Sequence, residues 1–98
     1  MNQADAISRL KAHTDTLKTM GATSLYLFGS TARNAARPAS DLDVFIDYDR
    51  QGRFNAFDLV SIKLFLEKEL NLPVDITTRD GLHPKLKPDI EQAAIRVF

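Results

Sequence analysis

Residues 27–33 read LFGSTAR and residues 40–47 read SDLDVFID, and these two stretches carry most of the information about the fold. The first stretch contains the end of a short apolar run over residues 24–28, which predicts a buried strand that stops at the Gly29-Ser30 turn. In the second stretch Leu42, Val44 and Ile46 alternate with polar residues, which predicts a strand with one apolar face. A short helix over residues 31–37 is expected between the two strands, because Pro38 would end it.

Helices and one further strand flank this centre. Apolar residues at helical spacing predict a helix over residues 5–20 and another from an Asn55 cap to about Leu70. Residues 74–78 are expected to form a third strand, and residues 88–94 a last helix before an extended tail or edge strand. The resulting order, α-β-α-β-α-β-α, predicts a small α/β domain.

Length and composition narrow the class of protein. A chain of 98 residues predicts one domain, spanning residues 1–98. Lys plus Arg and Asp plus Glu each number 13, so a strongly basic nucleic-acid-binding domain is disfavoured and no direct nucleic-acid partner is expected. The absence of cysteine excludes disulfides and thiolate metal sites. No apolar run approaches the length of a membrane span or a signal peptide, so a soluble, cytoplasmic protein is expected.

Three aspartates are candidates for a metal site. Asp41 and Asp43 are two residues apart on a predicted strand, so their side chains share a face and repel by about 2–3 kcal/mol at an effective dielectric near 20. Asp75 lies within a short apolar strand, and if that strand lies beside the first, three carboxylates could hold two metal ions about 3.5–4 Å apart. Taken alone, an Asp-x-Asp pair or a single strand aspartate such as Asp75 is more often a solvated residue of an edge strand. Asp47 lies about 13 Å further along the strand and is interpreted as solvated.

The Gly29-Ser30 turn is the candidate phosphate site. A glycine at the end of a strand lets backbone N–H groups approach a phosphate, a following helix adds a favourable dipole, and the serine hydroxyl is one more donor. Arg33 is a candidate to contact a phosphate, and Ser40 to donate to a carboxylate or a phosphate. An ordinary strand-to-helix turn is the alternative. No lysine follows the serine in the P-loop pattern.

Taken together, these elements resemble a known family. Gly29-Ser30, ten residues, and then Asp41-Leu42-Asp43 match the Gly-Ser-x10-Asp-x-Asp signature of the polymerase-β-like nucleotidyltransferases. The longer strings at residues 27–33 and 40–47 resemble the minimal nucleotidyltransferase (MNT) branch, and Val74-Asp75-Ile76 is similar to its third carboxylate strand. The resemblance covers nearly the whole chain. One departure is Asn34, where the family usually has glycine.

The resemblance implies a fold and a set of roles. The fold would be a minimal nucleotidyltransferase core, a mixed twisted sheet with helices packed mainly on one face. Asp41, Asp43 and Asp75 would bind two Mg²⁺ ions and act in catalysis, and Gly29 and Ser30 would hold ATP. MNT proteins typically pair with a HEPN-domain toxin, so the chain would be an antitoxin in a hetero-oligomer that transfers AMP to a tyrosine of that toxin.

Two other functions are compatible with parts of the sequence. An antitoxin that works by binding and occlusion alone would keep the same motif without catalysis. A haloacid-dehalogenase-type phosphatase also uses Asp-x-Asp, but there the motif closes an apolar strand, whereas here Asp41 opens one.

Overall fold

A computed structural model describes residues 1–33 and 41–98 of the chain. Within these ranges the α-helices are α1 (Gln3–Lys11), α2 (Thr14–Thr19), α3 (Gly29–Ala32), α4 (Ala56–Leu70) and α5 (Lys87–Ala93). The strands are β1 (Ala22–Phe28), β2 (Leu42–Tyr48), β3 (Val74–Thr78) and β4 (Ile95–Arg96), and a 3₁₀ turn occupies Arg79–Gly81. None of the helices in the described ranges has the length and apolar character needed to cross a bilayer.

The strands form one mixed sheet in the order β3-β2-β1-β4. β1 pairs with β2 and with β4 in antiparallel fashion, whereas β2 and β3 are parallel. The parallel pair requires a crossover, which α4 supplies between the two strands. The predicted α/β class and mixed sheet are confirmed, and the tail predicted after α5 provides the edge strand β4.

The hydrophobic core lies on one face of the sheet, between the strands and helices α1, α2 and α4. Alternation along each strand turns every second side chain towards this core. The buried strand residues in it are Ala22, Leu25, Leu27, Leu42, Val44, Ile46 and Val74. The buried helix residues are Ala6, Leu10, Leu17, Ile62, Leu66 and Leu70, together with Ala32 of α3. The opposite face of the sheet, which carries Tyr26 and Phe45, does not contribute to this core.

The helix predicted over residues 5–20 is two helices in the structure. The backbone of His13 leaves the helical region, with φ −106° and ψ 15°, and the Thr14 hydroxyl donates to the Lys11 carbonyl oxygen at 2.7 Å. A threonine hydroxyl that satisfies a helix-end carbonyl in this way competes with continuation of the helix. The apolar spacing continues across the break because both helices pack on the same core, which is why periodicity alone did not reveal it.

Helix α4 begins and ends where the sequence predicts. The Asn55 side chain accepts from the amides of Phe57 and Asp58, and Asp58 accepts from the Asn55 amide, which forms a capping box. Asn71 closes the helix in the left-handed conformation. By contrast, α3 begins at Gly29, two residues before the predicted start, and residues 34–37 of the predicted helix lie outside the described residues.

Candidate active site

The second face of the sheet carries an aromatic floor. Tyr26 of β1 and Phe45 of β2 are register partners, and their rings stack with centroids 4.7 Å apart and an interplanar angle of 9°. The Phe28 ring tilts against Phe45 with centroids 5.8 Å apart. Phe45 is fully buried, although it does not belong to the main core. Beyond this floor, β2 places Asp43 opposite Phe28, so the aromatic surface ends at a carboxylate.

The three aspartates singled out in the sequence come together at that end of the sheet. Asp43 and Asp75 are register partners on the parallel strands β2 and β3, and neighbouring strands lie about 4.8 Å apart. Asp41 immediately precedes β2. Asp43 is half-buried, whereas Asp41 and Asp75 are exposed. The condition that the 74–78 strand lies beside the Asp-x-Asp strand is met, and Asp75 is the register partner of Asp43.

Electrostatics at Asp43 reflect this crowding. Burial raises the pKa of the Asp43 carboxyl, and the negative charges of Asp75 and Asp41 raise it further, whereas the Arg33 guanidinium lowers it. The raising effects prevail, so the folded protein disfavours a negative charge on Asp43. Negative charges therefore repel one another at this site, and a bound cation would reduce the repulsion.

The described carboxylates fit the expected Mg²⁺ ions only with ligands from outside the protein. In the ranges 1–33 and 41–98, no group of three or more His, Cys, Asp or Glu side chains is placed so that it could hold a metal ion. The three carboxylates expected as ligands are thus not placed so that they could hold a metal ion by themselves. Mg²⁺, however, is usually bound through one or two carboxylates, with substrate phosphates and waters as the other ligands. The facing carboxylates Asp43 and Asp75 fit that mode of binding.

The Gly29-Ser30 turn lies directly against Asp43. Gly29 has a φ of +74°, which side-chain-bearing residues rarely adopt. A Cβ at this position would overlap Asp43 Oδ2 and lie 3.0 Å from Asp43 Cγ. Only glycine therefore allows the backbone to pass so close to the carboxylate. The two halves of the sequence motif, separated by ten residues in the chain, lie side by side in the tertiary structure.

The remaining candidates on this side of the site are Ser30, Arg33 and Ser40. Ser30 is half-buried in the single turn of α3, so its hydroxyl and the local amides, rather than the dipole of a long helix, are the available donors. Arg33 caps α3, is exposed, and lies close enough to act on the charge of Asp43. Ser40 lies outside the described residues, as does Asn34.

The sequence reasoning missed a cation at the centre of this face. Arg79 Nε donates to Asp47 Oδ1 at 2.8 Å, Nη2 donates to Asp47 Oδ2 at 3.0 Å, and Nη1 donates to Glu91 Oε2 at 2.5 Å. The guanidinium also lies over the Tyr26 and Phe45 rings, 4.8 and 5.1 Å from their centroids. These hydrogen bonds raise the pKa of Arg79 above its ordinary value. Arg79 thereby joins α5 to the aromatic floor.

The interpretation of Asp47 as a solvated residue is wrong. Its side chain is 31% exposed and accepts two hydrogen bonds from Arg79 in a bidentate pair. The partners are 32 residues apart, so their contact depends on how the 3₁₀ turn folds back over β2. The sequence did contain one signal: Asp47 is two residues from Phe45 and shares its face of the strand. A carboxylate that is partly buried beside an aromatic ring needs a cation or a water molecule as its partner.

Loss of the Arg79 side chain should weaken the fold. Arg79→Met keeps the aliphatic stem but leaves Asp47 and Glu91 without their shared cation, each carboxylate being about one-third exposed. We expect a loss of about 1–3 kcal/mol in the free energy of unfolding, measured by urea denaturation.

Arg50→Met is the matched control, because Arg50 pairs with Asp80 at the surface with its side chain 73% exposed. This variant should lose less than about 1 kcal/mol. Equal losses in the two variants would contradict a structural role for the Arg79 cluster.

A family model and a curated relative both match this chain over most of its length. A family model described as nucleotidyltransferase domain matches residues 10–97. A Methanocaldococcus jannaschii protein named "putative protein adenylyltransferase" is 38% identical over 72 residues, which is 74% of this chain and 75% of that protein.

Solved structures share the fold. A "putative minimal nucleotidyltransferase" superimposes with a TM-score of 0.83 at 33% identity, over 97% of this chain and 95% of the other. A toxin-antitoxin crystallised with AMP-PNP superimposes with a TM-score of 0.72 at 15% identity, over 90% and 72% of the two chains, which shows a shared fold alone.

Proposed function

The chain belongs to the nucleotidyltransferase domain family, and from this premise we propose that it transfers AMP from ATP to a hydroxyl group of a partner protein with the help of Mg²⁺. The observation that carries the proposal is the contact between the Gly29 turn and Asp43, which itself faces Asp75. A glycine turn suited to phosphate and an acidic pair suited to Mg²⁺ thus lie side by side. Mg²⁺-ATP has the chemistry to bridge them.

The nucleotide would be held by its phosphates. The backbone amides at Gly29 and the Ser30 hydroxyl are the proposed donors, since no side chain intervenes at the turn. Arg33, already close to the Asp43 charge, would neutralise a phosphate oxygen. Ser40 is the further proposed donor, placed next to Asp41 in the sequence.

Asp41, Asp43 and Asp75 are the proposed metal ligands and catalytic residues. Bound Mg²⁺, with two ions expected, would supply charge neutralisation at the α-phosphate and the leaving pyrophosphate. The residues of this chain fix where that charge is placed, because β2 and β3 hold Asp43 and Asp75 in register and Asp41 adjoins them. A cation bound beside Asp43 would offset the repulsion from Asp75 and Asp41, which together with burial raises the pKa of the Asp43 carboxyl.

The proposed reaction is an in-line displacement. The acceptor oxygen forms a bond to the α-phosphorus, and the bond from that phosphorus to the bridging oxygen of the β-phosphate breaks, releasing pyrophosphate. The acceptor proton passes to Asp75, which is exposed and therefore open to an incoming hydroxyl. Tyrosine, the proposed acceptor, has a pKa near 10 and is protonated at neutral pH, so it requires such help.

The proposed partner is a HEPN-domain toxin, which makes this chain the antitoxin of the pair. The partner class rests on the sequence resemblance to the MNT branch. An exposed apolar patch on α4 supports the proposal of a protein partner: Phe57, Val60 and Leu64 share one side of the helix and are 83%, 50% and 59% exposed. Large exposed apolar side chains in one patch are typical of interaction surfaces.

Intact-mass spectrometry of the partner tests the proposal. After incubation with this chain, ATP and Mg²⁺, the toxin should gain the mass of one or more AMP groups. Asp75→Asn should reduce this transfer about 100-fold or more while nucleotide binding changes little, because the phosphates rest mainly on the turn and on Asp43.

Asp15→Asn, on the exposed side of α2, is the control and should transfer AMP normally. A toxin that is neutralised but carries no added mass would replace the enzymatic proposal with neutralisation by binding and occlusion.

A further inference from the structure

A cleft of about 250 Å³ lies beside the Gly29 turn, between α3 and α5. Its apolar lining residues are Phe28, Ala32, Ile90 and Ala93. Gly29 also lines it, and the charged side chains among the described lining residues are Arg33 and Asp89. The cleft is therefore continuous with the turn that adjoins Asp43.

Side-chain contacts hold both walls of the cleft in place. Phe28 packs against Phe45 in the aromatic floor. The opposite wall belongs to α5, which Glu91 ties to Arg79 and thereby to Asp47 of β2. Because Glu91 directly follows Ile90, its hydrogen bond to Arg79 ties the Ile90 part of α5 to β2.

The chemistry of the lining determines which part of a nucleotide fits. Ligand sites for drug-sized molecules are about 300–1,000 Å³, so a cleft of about 250 Å³ admits one ring system rather than a whole nucleotide. Between Phe28, Ile90 and Ala93 a triphosphate is disfavoured, since these apolar walls would leave its charges unpaired and the nearby Asp89 would repel them. Gly29 and Arg33, at the turn, are the lining residues that suit phosphate. A planar base, by contrast, can pack its face on apolar and aromatic side chains.

We propose that the cleft between α3 and α5 binds the adenine ring of ATP, with Phe28, Ile90 and Ala93 as its contact surface. This inference rests on the proposed function and specifies where the base lies. The phosphates would extend from the cleft across Gly29, which lines it, towards Asp43, which lies against Gly29. An exocyclic amine on the base would find an acceptor in the Asp89 carboxylate at the rim.

Filling the cleft separates binding of the base from binding of phosphate. Ala93→Phe places an aromatic ring at a lining position, and Gln92→Phe, the neighbouring exposed residue outside the lining, is the matched control. Calorimetric titration of the whole chain with ATP and with inorganic tripolyphosphate, both in Mg²⁺, measures each affinity. We expect Ala93→Phe to weaken ATP binding about 10-fold or more and to leave tripolyphosphate binding within about 2-fold, with Gln92→Phe unchanged for both.

The alternative outcomes are distinct. Unchanged ATP binding by Ala93→Phe would overturn the proposed base site, and so would an equal loss for ATP and tripolyphosphate, which would mean that the cleft holds phosphate. If Ala93→Phe does not fold, Ile90→Ala is tested in its place, because it removes part of the proposed contact surface. An affinity of Ile90→Ala for ATP within about 2-fold of that of the unmodified chain would overturn the proposal. An unmodified chain that binds neither ligand would instead refute the proposed nucleotide-dependent function.

Discussion

Asp43→Asn should abolish transfer of AMP while leaving the fold intact. Asp43 lies at the centre of the candidate site, because it pairs in register with Asp75, follows Asp41 by two residues and adjoins Gly29. Asparagine keeps the shape but removes the charge that would hold a cation against the phosphates. We expect at least about 1,000-fold slower transfer, measured as AMP added to the partner per unit time. Activity within about 10-fold of the unmodified chain would refute the proposed metal and phosphate arrangement.

The same variant should be at least as stable as the original chain at neutral pH. Folding raises the pKa of Asp43 above its ordinary value of 3.8. The folded state therefore binds this proton more tightly than the unfolded state, and the associated stability is present at low pH and lost as pH rises from about 3.8 through the raised pKa. Asp43→Asn lacks this loss, so its advantage in Tm should grow between pH 4 and pH 7 in the presence of EDTA. A variant that becomes relatively less stable over that range would contradict the proposed repulsion.

Gly29→Val should damage both the fold and the reaction. The positive φ of +74° costs a side-chain-bearing residue about 1–2 kcal/mol, and branching at Cβ adds to this cost. The new Cβ would also overlap Asp43 Oδ2, so the carboxylate must move away from its place opposite Asp75. We expect a loss of about 2 kcal/mol or more in the free energy of unfolding, and transfer reduced about 100-fold or more. Urea denaturation and the partner-mass assay measure the two effects.

Gly52→Val is the control for loss of a glycine. Gly52 lies in the turn after β2, at the end of that strand remote from Asp43. Transfer by this variant should match that of the unmodified chain, whatever its stability. Normal transfer by Gly29→Val, in a variant shown to be folded, would mean that the turn does not hold the phosphates.

Local patterns were sufficient to predict most of the elements. The alternation in β2 and the cap and stripe of α4 are properties of neighbouring residues, and both elements appear as expected. The break between α1 and α2 was missed because a single backbone departure at His13 leaves the apolar spacing unchanged. The early start of α3 was missed because Gly29, treated as a break, forms the first residue of the helix.

The sequence by itself determined the α/β class, the order of the main elements and the residue types of the candidate site, since those follow from periodicity and from a spaced motif. Only the tertiary structure decided which side chains meet. The parallel pairing of β2 and β3 sets Asp75 beside Asp43, and the close passage of the Gly29 backbone depends on the packing of α3. The Arg79 cluster and the cleft against α5 were invisible in the sequence, because their members are brought together by contacts between elements distant along the chain, and short-range patterns carry no record of such contacts.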